Sequence, residues 1–349
     1  MRWDMIKSKR GRFIFWLVLL SLFCSAIVVG VAVGPIVIPF SDTVVSIGKK
    51  LGVLSQTMEA TQFEVVINEV RLPRVLVALF VGSGLAVAGV AMQGLFRNPL
   101  VEPGYIGVSS GAALGAVSAL FFGWTKWSHW MLPLSAFVGA MFVMVVILAV
   151  WQTSRHKSIA MLLLLGIGIN SFFSAIMNVL VATSKNEQEL RGIIYWLQGG
   201  LDARTWEHVQ LVALPILLGI LGLTWFSREL DMLLLGEEQA LSSGVDIKKV
   251  RTFVLLLAAF MTGTAVAVSG IIGFVGLIIP HMFRLLLGPR HRSLFLASAF
   301  GGATFLIGAD LVSRMILQPI TLQVGVVSAL IGAPLFIFLL LTSHKGVRS

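Results

Sequence analysis

From Phe13 onward the sequence is a succession of apolar runs, at 13–33, 72–94, 105–122, 131–152, 159–182, 207–226, 251–270, 271–287, 293–312 and 324–342. A helix needs about 20 apolar residues to cross the hydrocarbon core of a bilayer. A chain of 349 residues that is 57% hydrophobic and only 12% charged, with a mean hydropathy of +0.94, cannot solvate ten such runs as a soluble protein. The predicted fold class is therefore all-α: a polytopic transmembrane helical bundle of ten helices, with residues 1–349 as a single transmembrane domain. The seventh and eighth runs join through Ser269-Gly270 with almost no loop, so their boundary is the least sharply drawn.

Charge sets the predicted orientation. Residues 1–12 carry Arg2, Lys7, Lys9, Arg10 and Arg12 ahead of the first run. A signal peptide shares that basic start, but this run is of bilayer length and lacks a small-x-small cleavage site before a polar stretch. With both termini inside, 17 Lys and Arg fall on the cytoplasmic side and 9 on the other, the expected positive-inside bias. The net charge of +10 thus reflects topology in a cell membrane rather than nucleic-acid binding. Trp124, Trp127 and Trp130 at one edge, and Trp16, Trp151 and Trp225 at the other, read as interfacial belts. The single cysteine, Cys24, lies in the first run, which leaves no disulfide and no cysteine-based metal site.

The stretch 92–115 interrupts the apolar pattern. Arg97, Asn98, Pro99, Glu102, Pro103 and Gly104 stand between two runs, too few residues for a domain linker. Pro99 and Pro103 each remove a backbone donor, so the helix must break here. Broken backbone among membrane helices is tolerated where protein or a water-filled cavity covers it, which suits a transport pathway. Two further connections are long. The outer loop 183–206 contains Glu187–Tyr195, read as a short helix at the membrane surface. The inner loop 227–250 has a helical middle with apolar Leu234, Leu235, Ala240 and Leu241.

No G-x-x-x-x-G-K-[ST] occurs, so the chain does not bind ATP through a P-loop, and there is no H-E-x-x-H. Gly107-Val-Ser109-Ser-Gly111 matches the G-x-S-x-G of serine hydrolases, but that motif requires a preceding strand. Gly107, Gly111 and Gly115 recur every four residues, the spacing that lets helices approach closely. No catalytic and no metal-binding residue is assigned. Asn170, Ser174 and Asn178 share one face of the fifth run, where interhelical hydrogen bonding and a pathway wall are both open. Glu102 and Asp310 place acids within or beside the runs, a thin supply for the coupling relay of an ion-coupled secondary transporter, the alternative from another class. Arg71, Arg74 and Arg314 are exceptions to the positive-inside bias, suited either to lipid phosphates or to an acidic partner.

Arg71-Leu-Pro-Arg74, Gln93-Gly, Arg97-Asn-Pro-Leu-x-Glu-Pro-Gly104, Gly107-Val-Ser-Ser-Gly-Ala, Pro280-His-x-x-Arg284, Gly308-Ala-Asp-x-x-x-Arg314 and Gly325-Val-x-x-x-x-x-Gly-Ala-Pro334 stand in one order. Together, from about residue 68 onward, they resemble the permease subunits of the iron-siderophore, heme and cobalamin ABC importers. The resemblance implies a dimer, with itself or with a related permease, whose pathway runs along the subunit interface. It also implies two cytoplasmic ATPase subunits that bind ATP and magnesium, so that the chain itself needs no cofactor, and an extracytoplasmic substrate-binding protein. Arg71, Arg74 and Arg314 match arginines that receive glutamates of the binding protein. Leu235, Gly236, Glu238, Ala240, Leu241 and Gly244 match the segment that seats on the ATPase. Asn170, Ser174 and Asn178 match the pathway helix, and Ser158, Ile159 and Ala160 the inner gate, which in cobalamin members is small and polar. Only Ser158 keeps that character. The stretches Phe96–Leu100 and Glu187–Tyr195 lean towards heme-type members, so heme or a ferric siderophore is the expected cargo and cobalamin the next.

Overall fold

The computed structural model describes residues 8–50, 63–154, 158–184 and 186–345. Among the described residues every regular element of the chain is helical. Its elements are α1 (Lys9–Ala32), α2 (Phe40–Lys50), α3 (Leu72–Leu95), α4 (Val108–Phe121), α5 (Met131–Thr153), α6 (Ile159–Ala182), α7 (Glu187–Leu197), α8 (Trp206–Trp225), α9 (Ser227–Leu235), α10 (Glu237–Ser242), α11 (Ile247–Ser269), α12 (Val275–Leu287), α13 (His291–Met315) and α14 (Val324–Lys345). A π-helical turn, Val66–Arg71, leads into α3. Each of the ten apolar runs becomes a helix, but they are not alike. Eight are long and apolar enough to cross a membrane. The other two, α4 and α12, have 14 and 13 residues. At 1.5 Å per residue they span only about 20 Å, and irregular backbone at 96–107 and 270–274 precedes them.

The helix expected within the 183–206 loop is α7. Asn186 starts it by accepting the Glu189 N–H at 2.8 Å, and it buries Ile193 and Trp196 while its charged side stays out. The 227–250 loop holds two helices, not one helical middle. Gly236, at φ 126°, separates α9 from α10, a conformation that side chains with a Cβ avoid.

Burial sorts the helices into a core and a rim. The helix continuous over Val66–Leu95 is 83% buried across its most apolar stretch, whereas α6 is 11% buried. The core helices are held at close range by small residues. A Cβ on Gly82 of α3 would lie 2.3 Å from the Gly302 carbonyl of α13, and one on Gly111 of α4 would lie 2.5 Å from the Gly139 carbonyl of α5. Gly115 meets Ser135 in the same seam. Close approach is the role expected for Gly111 and Gly115. Gly107 does something else: at φ 86° it is the hinge on which α4 begins. One belt residue is also reassigned. Trp151 is 1% exposed and belongs to the core, not to an interface, because α5 turns it inward beside Ile147 and Leu148.

Candidate translocation surface and its two ends

The break between α3 and α4 is built from the residues that predicted it. Arg97 adopts φ 49°. The Asn98 side chain accepts the Leu100 N–H at 2.9 Å, replacing a helical bond with a local turn. Pro103 then opens a single 3-10 turn, Pro103–Ile106, which includes Gly104. The Glu102 carboxylate lies against the backbone N–H of Phe274, where the break meets the start of α12. Gly107-Val-Ser-Ser-Gly111 follows a 3-10 turn rather than a strand, so it does not have the setting of a nucleophile elbow.

Helix α6 leans on this break. A Cβ on Gly166 would lie 2.3 Å from the Tyr105 carbonyl, and one on Gly107 would lie 3.6 Å from Asn170 Oδ1. Asn170 is thus half-buried against the break, while Ser174 and Asn178 are exposed along the same helix. Among the gate candidates, Ser158 caps α6, its Oγ accepting the Met161 N–H at 3.2 Å. Ile159 is half-buried and Ala160 exposed. Residues 155–157 beside them lie outside the described residues.

At the end of the bundle that carries α2 and α7, the structure brings Arg71, Arg74 and Arg314 together and gives each internal acceptors. Arg71 is 4% exposed. It donates to the carbonyls of Val31 at 3.0 Å, Ala32 at 2.6 Å and Ile36, capping the C-terminus of α1, where a cation is favoured. Arg314 reaches the same helix end, donating to Gly30 at 3.1 Å and Val33 at 3.4 Å, and pairs with Asp310 at 3.1 Å. Arg74 bridges Asp310 at 2.9 Å and Asp202 at 2.5 Å. Tyr195 completes the network by donating to Asp202 at 2.5 Å; burial first, and that bond second, raise its phenol above the usual range. The sequence marks the three arginines as one group, but Asp202 and Tyr195 do not stand out in it. Their only signal was an acid and a tyrosine in the same outer loop.

At the opposite end, α9 and α10 project from the bundle. Leu235 and Leu241 are exposed, at 65% and 59%, while Ala240 is fully buried and anchors the pair. Glu238 and Gly244 are exposed, and Gly244 adopts φ 83°. Glu237 accepts from Arg251 at 2.6 Å and from Arg97 at 3.5 Å, linking α10 to α11 and to the break. Asp231 of α9 binds His291 at the start of α13, accepting from its backbone N–H at 2.9 Å and lying 2.6 Å from Nδ1. Replacing Asp231 with alanine is expected to lower stability by about 1–3 kcal/mol, because His291 is fully buried and loses its acceptor. Thermal unfolding of the purified chain reads this directly, and an unchanged midpoint would mean that Asp231 does not hold α9 in place.

The geometry thus comprises a broken helix pair, an exposed apolar helix with polar Ser174 and Asn178 on it, and two short helices at one end of the bundle. The profile of the FecCD transport family matches residues 18–342. The chain belongs to the FecCD transport family. The hemin transport system permease protein of Yersinia pestis is 41% identical over 79% of this chain and 83% of its own length. The cobalamin import system permease protein of Halobacterium salinarum is 39% identical over 79% of this chain and 73% of its own. A solved inward-facing conformation of a metal-chelate type ABC transporter superposes with a TM-score of 0.82 at 34% identity, covering 93% of this chain and 98% of that one. As a FecCD permease the chain is the membrane-spanning part of an ABC importer and not its ATPase, which sets aside the ion-coupled alternative.

Proposed function

We propose that this FecCD permease carries an iron chelate, heme or a ferric siderophore, along a pathway between α6 and a second permease subunit. The observation that supports this is the exposure of α6. It is the least buried of the long apolar helices, yet it presents Ser174 and Asn178 outward. Polar side chains are costly against lipid, so that face suits a water-filled path or a partner subunit, the same copy or a related one. In this reading the chain crosses the cell membrane ten times with both termini cytoplasmic, α4 and α12 completing their crossings together with the irregular segments before them. The break at 96–107 and the Ser158–Ala160 corner then line the cytoplasmic side of the path.

Two ATPase subunits, holding ATP and magnesium, would seat on α9 and α10. Exposed Leu235 and Leu241 supply the apolar contact, while Gly236, Glu238, Ala240 and Gly244 shape the pair. Leu235→Asp with Leu241→Asp is expected to abolish co-purification of the ATPase and ATP-dependent uptake without changing the thermal midpoint, since neither leucine is packed in the bundle. Retained capture of the ATPase would place its contact elsewhere.

At the other end, three guanidiniums cluster with only two carboxylates, which pair with Arg74 and Arg314, a local positive excess that suits an acidic substrate-binding protein. Arg71→Glu with Arg74→Glu is expected to weaken binding-protein capture sharply. The thermal midpoint must be read alongside, because both side chains also hold the bundle together. Full-affinity capture would remove the arginines from the interface.

Cobalamin is the second reading, supported by the 39% identity to a cobalamin permease. The deciding experiment is growth of a deletion strain with heme, a ferric siderophore, or neither but with a cobalamin requirement. Loss of growth on heme or the siderophore, restored by the gene, supports the iron-chelate reading. Loss only under the cobalamin requirement replaces it.

A further inference from the structure

The Pro280-His-x-x-Arg284 motif is not used by the proposed function, and it leaves buried polar groups that the fold does not satisfy. His281 is 4% exposed and Arg284 7% exposed. Both ring nitrogens of His281, and Nε and Nη2 of Arg284, have no hydrogen-bond partner. Unpartnered buried donors are costly, and native structures normally pair them or fill the space beside them. Here the space exists. A cavity of about 470 Å³ is lined by Gln93, Arg97, Asn98, Leu235, His281 and Arg284, among others. It lies where the end of α3, the end of α9 and α12 converge.

Asp231 offsets part of the Arg284 charge through space but makes no hydrogen bond to it. Asp231 is engaged by His291, and Glu237 by Arg251 and Arg97. Among the described residues, no carboxylate lines the cavity. Arg284 lies in the last turn of α12, where the helix dipole favours a cation, but the structure gives its guanidinium no hydrogen bond to any carbonyl. Gln93 donates Nε2 to the Leu277 carbonyl at 3.0 Å, and its Oε1 is left as an unpartnered acceptor. The lining therefore combines a forked guanidinium, a second arginine at the mouth, an imidazole and one free acceptor. A guanidinium fork matches a multi-oxygen anion rather than a spherical one, and a lone acceptor suits an oxyanion that carries an O–H.

We propose that this cavity is an oxyanion site that takes a phosphate group, held by Arg284 and His281 with Arg97 at its entrance. The inference does not depend on which cargo the permease carries, or on the placement of its ATPase. A bound phosphate would tie α3, α9 and α12 together at the end of the bundle where α9 and α10 project. Free phosphate and a lipid headgroup carry the same chemistry, and the experiment separates them.

The test uses the full-length chain in a maltoside detergent, which contains no phosphate, and follows its thermal midpoint. Sodium phosphate is titrated against sodium chloride of equal ionic strength, and phosphatidylglycerol is added in a separate series. A saturable rise with phosphate in the native chain is expected, lost in Arg284→Gln and His281→Gln and kept in Arg292→Gln, whose arginine is exposed elsewhere. Arg284→Lys, which keeps the charge and removes the fork, guards against misfolding of the glutamine variants. It is expected to fold and to need about tenfold more phosphate, the weight of one lost charge-assisted hydrogen bond. A rise only with phosphatidylglycerol, still lost in the Arg284 variants, assigns the phosphate to a lipid headgroup. No response in either series, or an equal response in Arg284→Lys and the native chain, overturns the proposal.

Discussion

Asp310→Ala is expected to destabilise the folded chain by about 3–5 kcal/mol, the cost of removing one member from a buried ionic network. Asp310 is fully buried and faces two guanidiniums, Arg74 at 2.8 Å and Arg314 at 3.1 Å. Without it, Arg314 keeps its carbonyls on α1 and Arg74 keeps Asp202, but two cations remain in a space with a single acid. The damage should spread to α1, which is held at its C-terminal end by Arg71 and Arg314. Asp310→Asn retains an acceptor without the charge and should fall between alanine and the native chain. The thermal midpoint in detergent orders the three, and the same midpoint for all of them would falsify the network as a source of stability.

Gly302→Leu should be at least as damaging, for a steric reason. The Cβ alone would sit 2.3 Å from the Gly82 carbonyl and 2.5 Å from the Ala86 Cβ. Neither atom is the end of a flexible side chain, so α3 and α13 must separate along their whole contact. Overpacking in a well-packed core costs about 1–3 kcal/mol when side chains can adjust, and here backbone must move instead. The expected result is little or no folded protein on size-exclusion chromatography. Gly308→Ala on the same helix is the control: a Cβ there meets nothing within 4 Å, so that variant should fold and gain up to about 1 kcal/mol in helix propensity. If Gly302→Leu folds as well as Gly308→Ala, the close approach of α3 and α13 is not what the structure indicates.

The projecting leucines and the buried arginines carry opposite lessons for a reader of this family. Leu235 and Leu241 are exposed and can be changed without touching the core, so in the proposed reading a functional loss at Leu241, which lies outside the cavity lining, points to a partner. Arg71, Arg74 and Arg314 cannot. Each is built into the bundle, and any loss of function in their variants must be separated from a loss of fold.

The apolar runs by themselves determined that the chain is a helical membrane bundle and roughly where its ten apolar helices lie, though not the amphipathic α2, because the requirement to bury about 20 residues in hydrocarbon acts on contiguous sequence. Pro99, Pro103 and Gly104 marked the break before α4 for an equally local reason: a missing donor, or freedom to turn, is a property of the residue itself. The order of the motifs was enough to place the family. The lengths of α4 and α12 were not legible, since an apolar residue in an irregular segment looks the same as one in a helix. Nor was the inward turn of Trp151, or the division of 227–250 into two helices. The arginine network lay furthest out of reach. Arg74 and Asp310 are 236 positions apart, and only the packing of α3 against α13 brings them within hydrogen-bonding distance. Charge and hydropathy are written residue by residue, whereas the partner that satisfies a buried charge is chosen by the fold.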